Sequence, residues 1–393
     1  MNKDILNTVV QDFINNNIKA DITSLLLKKL VFNNVDIKEV VEQIEAKKRC
    51  KIKLPTWFNT SNIYYPNKLN IEQTSSEIAA KYKSQLIKGS SIIDLTGGFG
   101  VDSFYFSKSF KEVTHCEINK TLSNIVSHNY NQLGVDNIIT LNVNGIDYLK
   151  NTFKHYDWIY VDPSRRHDSK GKVFYLKDCL PNIPKYIDLL FKHTNSVLLK
   201  ASPMLDISIG ISELKYTTEI HIVAINNDVK ELLFILNKES KSDIQIKTIN
   251  IKSSLNEVFN FNYQAETNAK VQFSEPLTYL YEPNAAILKS GAFKSLAEQL
   301  NVCKLHTHSH IYTSKKLIEF PGRSFKIIAT IPYKKALVKK HLSNTKINIA
   351  IRNFPEPVSQ IKKKFKINDG SNIYAFFTTT LENKKIVAIC EKA

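Results

Sequence analysis

The residues most ready for chemistry lie in the segment DLTGGFG, Asp94 to Gly100, which closes an apolar, strand-like run beginning at Ser91. It places three glycines within four positions of a chain that has 11 among 393 residues. Glycines where a strand passes into a helix allow positive φ and remove the Cβ atoms that would hold a ligand off the backbone. The following helix then aims its unpaired N–H groups at the crevice. By itself the turn fits two readings, a structural tight turn or a nucleotide-binding loop. The groups it would offer are Asp94, Thr96, Gly97, Gly98 and Gly100.

Two features separate the possible ligands. A dinucleotide fingerprint wants a further glycine three positions beyond Gly100, where this chain has Ser103. It must also admit a pyrophosphate, which a carboxylate at Asp94 would repel. S-adenosylmethionine carries no phosphate, and its sulfonium and ammonium groups are attracted by a carboxylate at that place. Glu117, closing the next strand-like run, can accept hydrogen bonds from both hydroxyls of a ribose. Asn144 follows the third run, either to meet an adenine edge or as a plain turn residue.

Short β-rich runs alternating with longer amphipathic segments position these groups, the pattern of an α/β protein with a parallel sheet. The expected strands are Ser91 to Leu95, Glu112 to Glu117, Ile138 to Val143, Trp158 to Asp162, Ser196 to Lys200, Glu219 to Ile225 and Lys230 to Leu236. Only four residues part the last two, too few for a crossover helix, which forces an antiparallel hairpin at the end of the sheet. Ahead of this region, residues 1–70 read as a helical unit, with Asp36 a helix cap. The polar stretch KESKSDIQIK reads as a linker, so residues 71–238 form the cofactor domain and 239–319 a connecting region, small and ferredoxin-like. Residues 320–393 read as an α+β module in the order strand, helix, strand, helix and two strands.

From about Gln73 to Leu236 the chain resembles the class I S-adenosylmethionine-dependent methyltransferases. The resemblance rests on DLTGGFG, Glu117, Asn144 and the DPSRR motif, Asp162 to Arg166. EQTSSEIAAKYK, KASPMLD, NDVKELLF and YLYEPNAAILKSGAF are similar, more narrowly, to a bacterial family of methyltransferases carrying a C-terminal THUMP-like domain. The resemblance implies a Rossmann-like seven-stranded sheet and S-adenosyl-L-methionine as cofactor. It also implies that Gln73 and Thr74 belong to a segment closing over the methionine end.

Methyl transfer from a sulfonium is an in-line displacement that depends on alignment. In amine-directed relatives the motif after the fourth strand has Asp or Asn, two prolines and an aromatic. Asp162 and Pro163 match, but Ser164 and Arg165 replace the second proline and the aromatic. Arg165 and Arg166 suit a phosphate or carboxylate of the acceptor, or a surface ion pair with Asp168. The motif also resembles the DPPR of RNA uracil C5-methyltransferases, but KASPM supplies no cysteine nucleophile after the fifth strand. Transfer to nitrogen or oxygen, or to a carbon that needs no covalent adduct, without a cysteine intermediate, is therefore expected. Lys200 either neutralises acceptor charge or caps the sheet. Asp162, Ser164, Arg165, Arg166 and Lys200 form the expected acceptor site.

Lys and Arg number 54 against 37 Asp and Glu, a net charge of +17, and the pI is about 9.4. Such a balance attracts polyanions. It concentrates in the last module, at Lys334, Lys335, Lys339, Lys340, Lys362, Lys363, Lys364 and Lys366. RNA, tRNA or rRNA, is the expected partner. The alternatives are a protein or an anionic small molecule as acceptor, or a non-catalytic RNA-binding protein with a vestigial site. Five scattered cysteines without a CxxC pair, and no long apolar run, lead to the expectation of a cytoplasmic protein with neither membrane nor metal. His306, His308 and His310 would share one face if the segment were a strand, as a metal site or as a polar face.

Overall fold

The computed structural model describes residues 1–27, 32–165, 174–240 and 242–393. Arg166 and Asp168 thus lie outside the described residues, and Arg165 is described by its backbone alone. The chain divides into two compact units, Met1–Thr217 with Leu233–Lys241, and Thr218–Leu232 with Ser242–Ala393.

In the first unit the helical start leads into α1 (Ile37–Lys53), opened by a capping box between Asp36 and Glu39 and burying Val40, Val41, Ile44 and Cys50. Pro55 begins the short helix that follows, and its Trp57 is fully buried, 4.8 Å from the ring of Phe104. α2 (Glu77–Leu86) precedes β1 (Ser91–Asp94), α3 (Val101–Phe106) and β2 (Glu112–Cys116). α4 (Lys120–Gln132), β3 (Ile138–Leu141), α5 (Gly145–Lys150), β4 (Trp158–Val161) and β5 (Ser196–Ala201) complete the alternation. The N-terminal helices share one apolar core with α3 and α4, through Trp57, Phe99, Phe104, Val126 and Tyr130 among others.

β1 pairs in parallel with β2 on one side and β4 on the other, and β2–β3 and β4–β5 are parallel as well. Two long strands, β6 (Thr217–Ile225) and β7 (Asp228–Asn237), meet through Asn226 and Asn227, both at positive φ. That two-residue turn suits the twist of an antiparallel hairpin. Beyond the seven expected strands the structure adds β8 (Gln245–Ile251), parallel to β6, and β9 (Glu257–Asn262), antiparallel to β8. The full order is β9-β8-β6-β7-β5-β4-β1-β2-β3. Residues from Gln245 onward that read as linker are therefore strand, with Ile246 and Thr248 buried alternately. The order reverses between β1 and β4, and the crevice beyond the carboxyl ends of such strands is where an open α/β sheet receives a ligand.

The second unit holds a seven-stranded sheet. Its strands are β10 (Tyr279–Pro283), β11 (Cys303–Lys304), β12 (Tyr312–Ser314), β13 (Gly322–Pro332), β14 (Asn348–Arg352), β15 (Ile373–Thr379) and β16 (Lys385–Lys392). They lie in the order β11-β12-β10-β13-β16-β15-β14. α6 (Lys335–Leu342) and α7 (Val358–Phe365) bury Val338, Leu342, Ile361 and Phe365 against Phe377 and Val387 of this sheet.

Candidate active site

The glycine turn is held from below by Asp94. Its carboxylate, 1% exposed, accepts from the Ser103 hydroxyl at 2.7 Å and from the Thr96 N–H at 3.0 Å. Burial, with Asp102 and Asp162 nearby, raises its pKa to about 7 against the pull of those two hydrogen bonds. Asp94 thus ties β1 to α3 under the turn, and its influence on a cation above is one of charge. Ser103, which breaks the dinucleotide pattern, is its buried partner.

Each glycine answers a different constraint. Gly97 continues the sheet, donating to the Cys116 carbonyl at 2.8 Å, and a Cβ there would stand 2.1 Å from Nε2 of the buried His115. Gly100 has φ +78° and accepts from the Tyr130 hydroxyl at 2.9 Å, leaving no room for a side chain. At Gly98, φ +55°, a Cβ would meet nothing nearer than 3.8 Å. This is the open lip of the cradle.

Glu117 reaches back to this lip. Oε2 accepts from the Gly98 N–H at 3.0 Å and Oε1 from the Asn119 N–H at 2.6 Å. Burial pushes its carboxyl above the ordinary range despite those donors. A carboxylate has about four acceptor positions, so ribose hydroxyls can still be taken. Asn144 does what the turn reading required: its Oδ1 caps α5, accepting from Ile146 and Asp147. The neighbouring Gly145 lies so close to β1 that a Cβ would stand 2.5 Å from the Leu95 carbonyl oxygen.

The β4 terminus joins the turn directly. The Asp162 N–H donates to Thr96 Oγ1 at 2.7 Å, and the Asp162 carboxylate lies 2.5 Å from Lys200 Nζ on β5. Ser164 is exposed, and its backbone, with that of Arg165, pairs antiparallel to Cys179–Leu180. The structure therefore brings Asp94, Thr96, the three glycines, Glu117, Asp162 and Lys200 together at the carboxyl ends of β1, β2, β4 and β5.

These residues fit S-adenosylmethionine better than a phosphate-bearing nucleotide. The open glycine lip is bordered by the Glu117 carboxylate, and the buried Asp94 carboxyl lies under the same turn, an arrangement that suits a cation and disfavours a pyrophosphate.

The crystal structure of a protein from Porphyromonas gingivalis W83, assigned as a methyltransferase, superposes with a TM-score of 0.90 at 30% identity, over 100% of this chain and 99% of that one. The chain belongs to the same methyltransferase family. Two family descriptions match within the second unit, a ferredoxin-like domain at residues 279–321 and a THUMP domain-like segment at 322–392. SMU.1697c of Streptococcus mutans, solved with SAH, aligns with 41% of this chain and 96% of its own at 14% identity and a TM-score of 0.31. M. capricolum TrmK, solved with S-adenosyl-homocysteine, aligns with 45% and 70% at 14% identity and 0.32. Likenesses this slight carry no weight here. No curated protein matches the sequence.

The methyltransferase also holds a buried polar network that the sequence reading missed. Asp102, one residue past the start of α3, accepts from the Tyr160 hydroxyl at 2.8 Å and the Ser75 hydroxyl at 2.9 Å. Lys83, fully buried on α2, lies 3.2 Å from Asp102 Oδ1 and donates to Ser75 Oγ at 3.1 Å. Lys200 donates to the same Ser75 oxygen at 3.3 Å. Burial alone would raise Asp102, but Lys83, Lys200, Tyr160 and Ser75 together hold it below the usual carboxylate range. The available signal was a lysine and an aspartate at otherwise apolar helix positions.

The histidines do not form a strand face. Thr307 to Ser309 make a turn, in which the His308 N–H donates to His306 Nδ1 at 3.0 Å, while His310 stacks on Phe293. Among the described residues no group of His, Cys, Asp and Glu could hold a metal ion, and no helix is long and apolar enough to cross a membrane.

Proposed function

We propose that this methyltransferase uses S-adenosylmethionine to methylate RNA. When bound, the donor supplies an electrophilic methyl group on a sulfonium. Glu117 holds its ribose, the Gly98 lip admits it to the backbone, Asp94 adds negative charge beneath, and Asp162 with Lys200 faces the acceptor.

One observation carries RNA over other acceptors: the exposed lysines of the THUMP-like module. Lys334, Lys335, Lys339, Lys340, Lys363 and Lys366 are exposed on or beside α6 and α7, helices that bury their apolar sides in the same core. Part of the basic run is neutralised, since Lys362 pairs with Asp369 and Lys364 with Glu356. The remaining lysines supply the salt-sensitive, sequence-independent attraction expected for a phosphate backbone. That a THUMP domain-like segment carries them supports the same reading.

Nucleoside mass spectrometry on RNA from cells with and without the gene tests this. Loss of one methylated nucleoside, restored by the wild-type gene, is expected. An unchanged nucleoside profile together with a methylated protein or small molecule would transfer the enzyme to that acceptor class.

A further inference from the structure

We propose that the atom methylated is a hydroxyl oxygen, held between Asp162 and Lys200; this rests on the reading of the crevice as a methyltransferase site. Both groups are already engaged. The Asp162 carboxylate, 33% exposed, lies 2.5 Å from Lys200 Nζ, which is 13% exposed and is itself anchored to Ser75 Oγ. Ser75, Lys83 and Asp102 fix that anchor from below, and the pair of carboxylates balances the pair of ammonium groups. Lys200 is thereby a fixed donor, and Asp162 a fixed acceptor, side by side at the crevice.

A lysine ammonium has three donors and no acceptor, and a carboxylate only accepts. An acceptor atom meeting both must give one hydrogen bond and receive another. A hydroxyl oxygen does so. An exocyclic base amine, whose lone pair is delocalised into the ring, presents only donors and would set N–H against Lys200. A carboxylate acceptor has no proton for Asp162 and would stand charge against charge. Within RNA the group that remains is the ribose 2′-hydroxyl.

The step balances without a metal or a second reactant. An oxygen lone pair forms the bond to the methyl carbon, the carbon–sulfur bond breaks with its electron pair left on sulfur, and a neutral thioether departs. The hydroxyl proton, strongly acidic once the oxygen is alkylated, passes to the Asp162 carboxylate and from there to solvent. Lys200 orients the lone pair. Ser75, Lys83 and Asp102 are positioning residues that act through Lys200.

The test incubates the full-length protein and isotopically methyl-labelled S-adenosylmethionine with an extract of cells lacking the gene. Labelled RNA, protein and small molecules are then separated and the methyl position is determined in each. Label expected in RNA as 2′-O-methyl nucleosides supports the proposal; a methyl ether on serine, threonine or tyrosine in the protein fraction supports the hydroxyl while overturning the RNA reading, and a carboxyl methyl ester overturns the hydroxyl. An N- or C-methyl group in any fraction overturns the hydroxyl and leaves the methyltransferase reading standing. No label anywhere, with donor binding seen by calorimetry, overturns both. Lys200→Met and Asp162→Asn, each checked for folding by circular dichroism, should lower transfer by about 100-fold or more. Lys200→Met should keep donor affinity within about threefold, since its work is on the acceptor. Transfer by folded Lys200→Met within about threefold of wild type would overturn the assignment.

Discussion

Lys83 Nζ lies 3.2 Å from Asp102 Oδ1 with the lysine wholly removed from solvent. The contact is one of charge, for among the described residues Oδ1 receives no well-aligned hydrogen bond, while Oδ2 takes those of Ser75 and Tyr160. Removing one partner strands the other in a low-dielectric interior. Lys83→Met should therefore lower unfolding free energy by about 3–5 kcal/mol in urea titrations. Adding Asp102→Asn should recover part of that loss, because no carboxylate is then buried without its cation.

Glu117 sits where one carboxylate can serve both the turn and a ribose. Glu117→Ala should weaken S-adenosylmethionine binding by about tenfold or more in calorimetry, since charge-assisted hydrogen bonds contribute about 1.5–3 kcal/mol. Affinity unchanged by this substitution would place the ribose elsewhere.

Asp94, with its pKa raised to about 7, is partly protonated at neutral pH. A cationic donor above it favours the ionised form, so binding should release protons near pH 7 and tighten as pH rises from about 6 to 8. Calorimetry in buffers of different ionisation enthalpy reads the release directly, and Asp94→Asn should flatten the pH profile.

His115 is buried beneath Gly97, with neither ring nitrogen meeting a hydrogen-bond partner among the described residues. Burial lowers its pKa to about 4. Between about pH 6.5 and 4 the unfolded chain takes up a proton that the native state refuses, so this residue's contribution to stability falls as pH falls. Asp94 acts in the opposite sense between about pH 7 and 4, where the native state holds the extra proton. Thermal melts should show a smaller acid loss for His115→Phe and a steeper one for Asp94→Asn.

The exposed lysines of α6 and α7 should act on RNA without reaching the donor. Lys339→Glu, Lys340→Glu and Lys363→Glu combined should weaken binding of total tRNA and reduce its dependence on salt, while S-adenosylmethionine affinity stays the same. A change in donor affinity, or none in RNA affinity, would remove this face from the interface.

Much of the fold was legible because it is written in local pattern. The strand-to-glycine handover at Asp94 to Gly100, the acid closing β2 and the short link before β7 each impose a backbone conformation or a periodicity on their own neighbours. The first residues of β8, Gln245 to Lys247, read as linker because the buried face of this strand carries the polar Thr248 and Asn250 beside Ile246, which hides the apolar alternation. Asn144 was legible only as a choice between adenine contact and turn, and the cap it makes on α5 depends on backbone N–H groups two and three residues onward.

By itself, then, the sequence determined the seven alternating strands of the cofactor domain, the glycine cradle and the excess of positive charge, because these follow from φ/ψ preference, hydrophobic period and composition. Tertiary structure alone decided that Asp94 lies under the cradle, that Lys200 is locked to Asp162, and that Ser75, Lys83 and Asp102, from separate elements, form one buried network. Hydrogen bonds and ion pairs act over about 3 Å in space, a separation fixed only when the strands and helices pack.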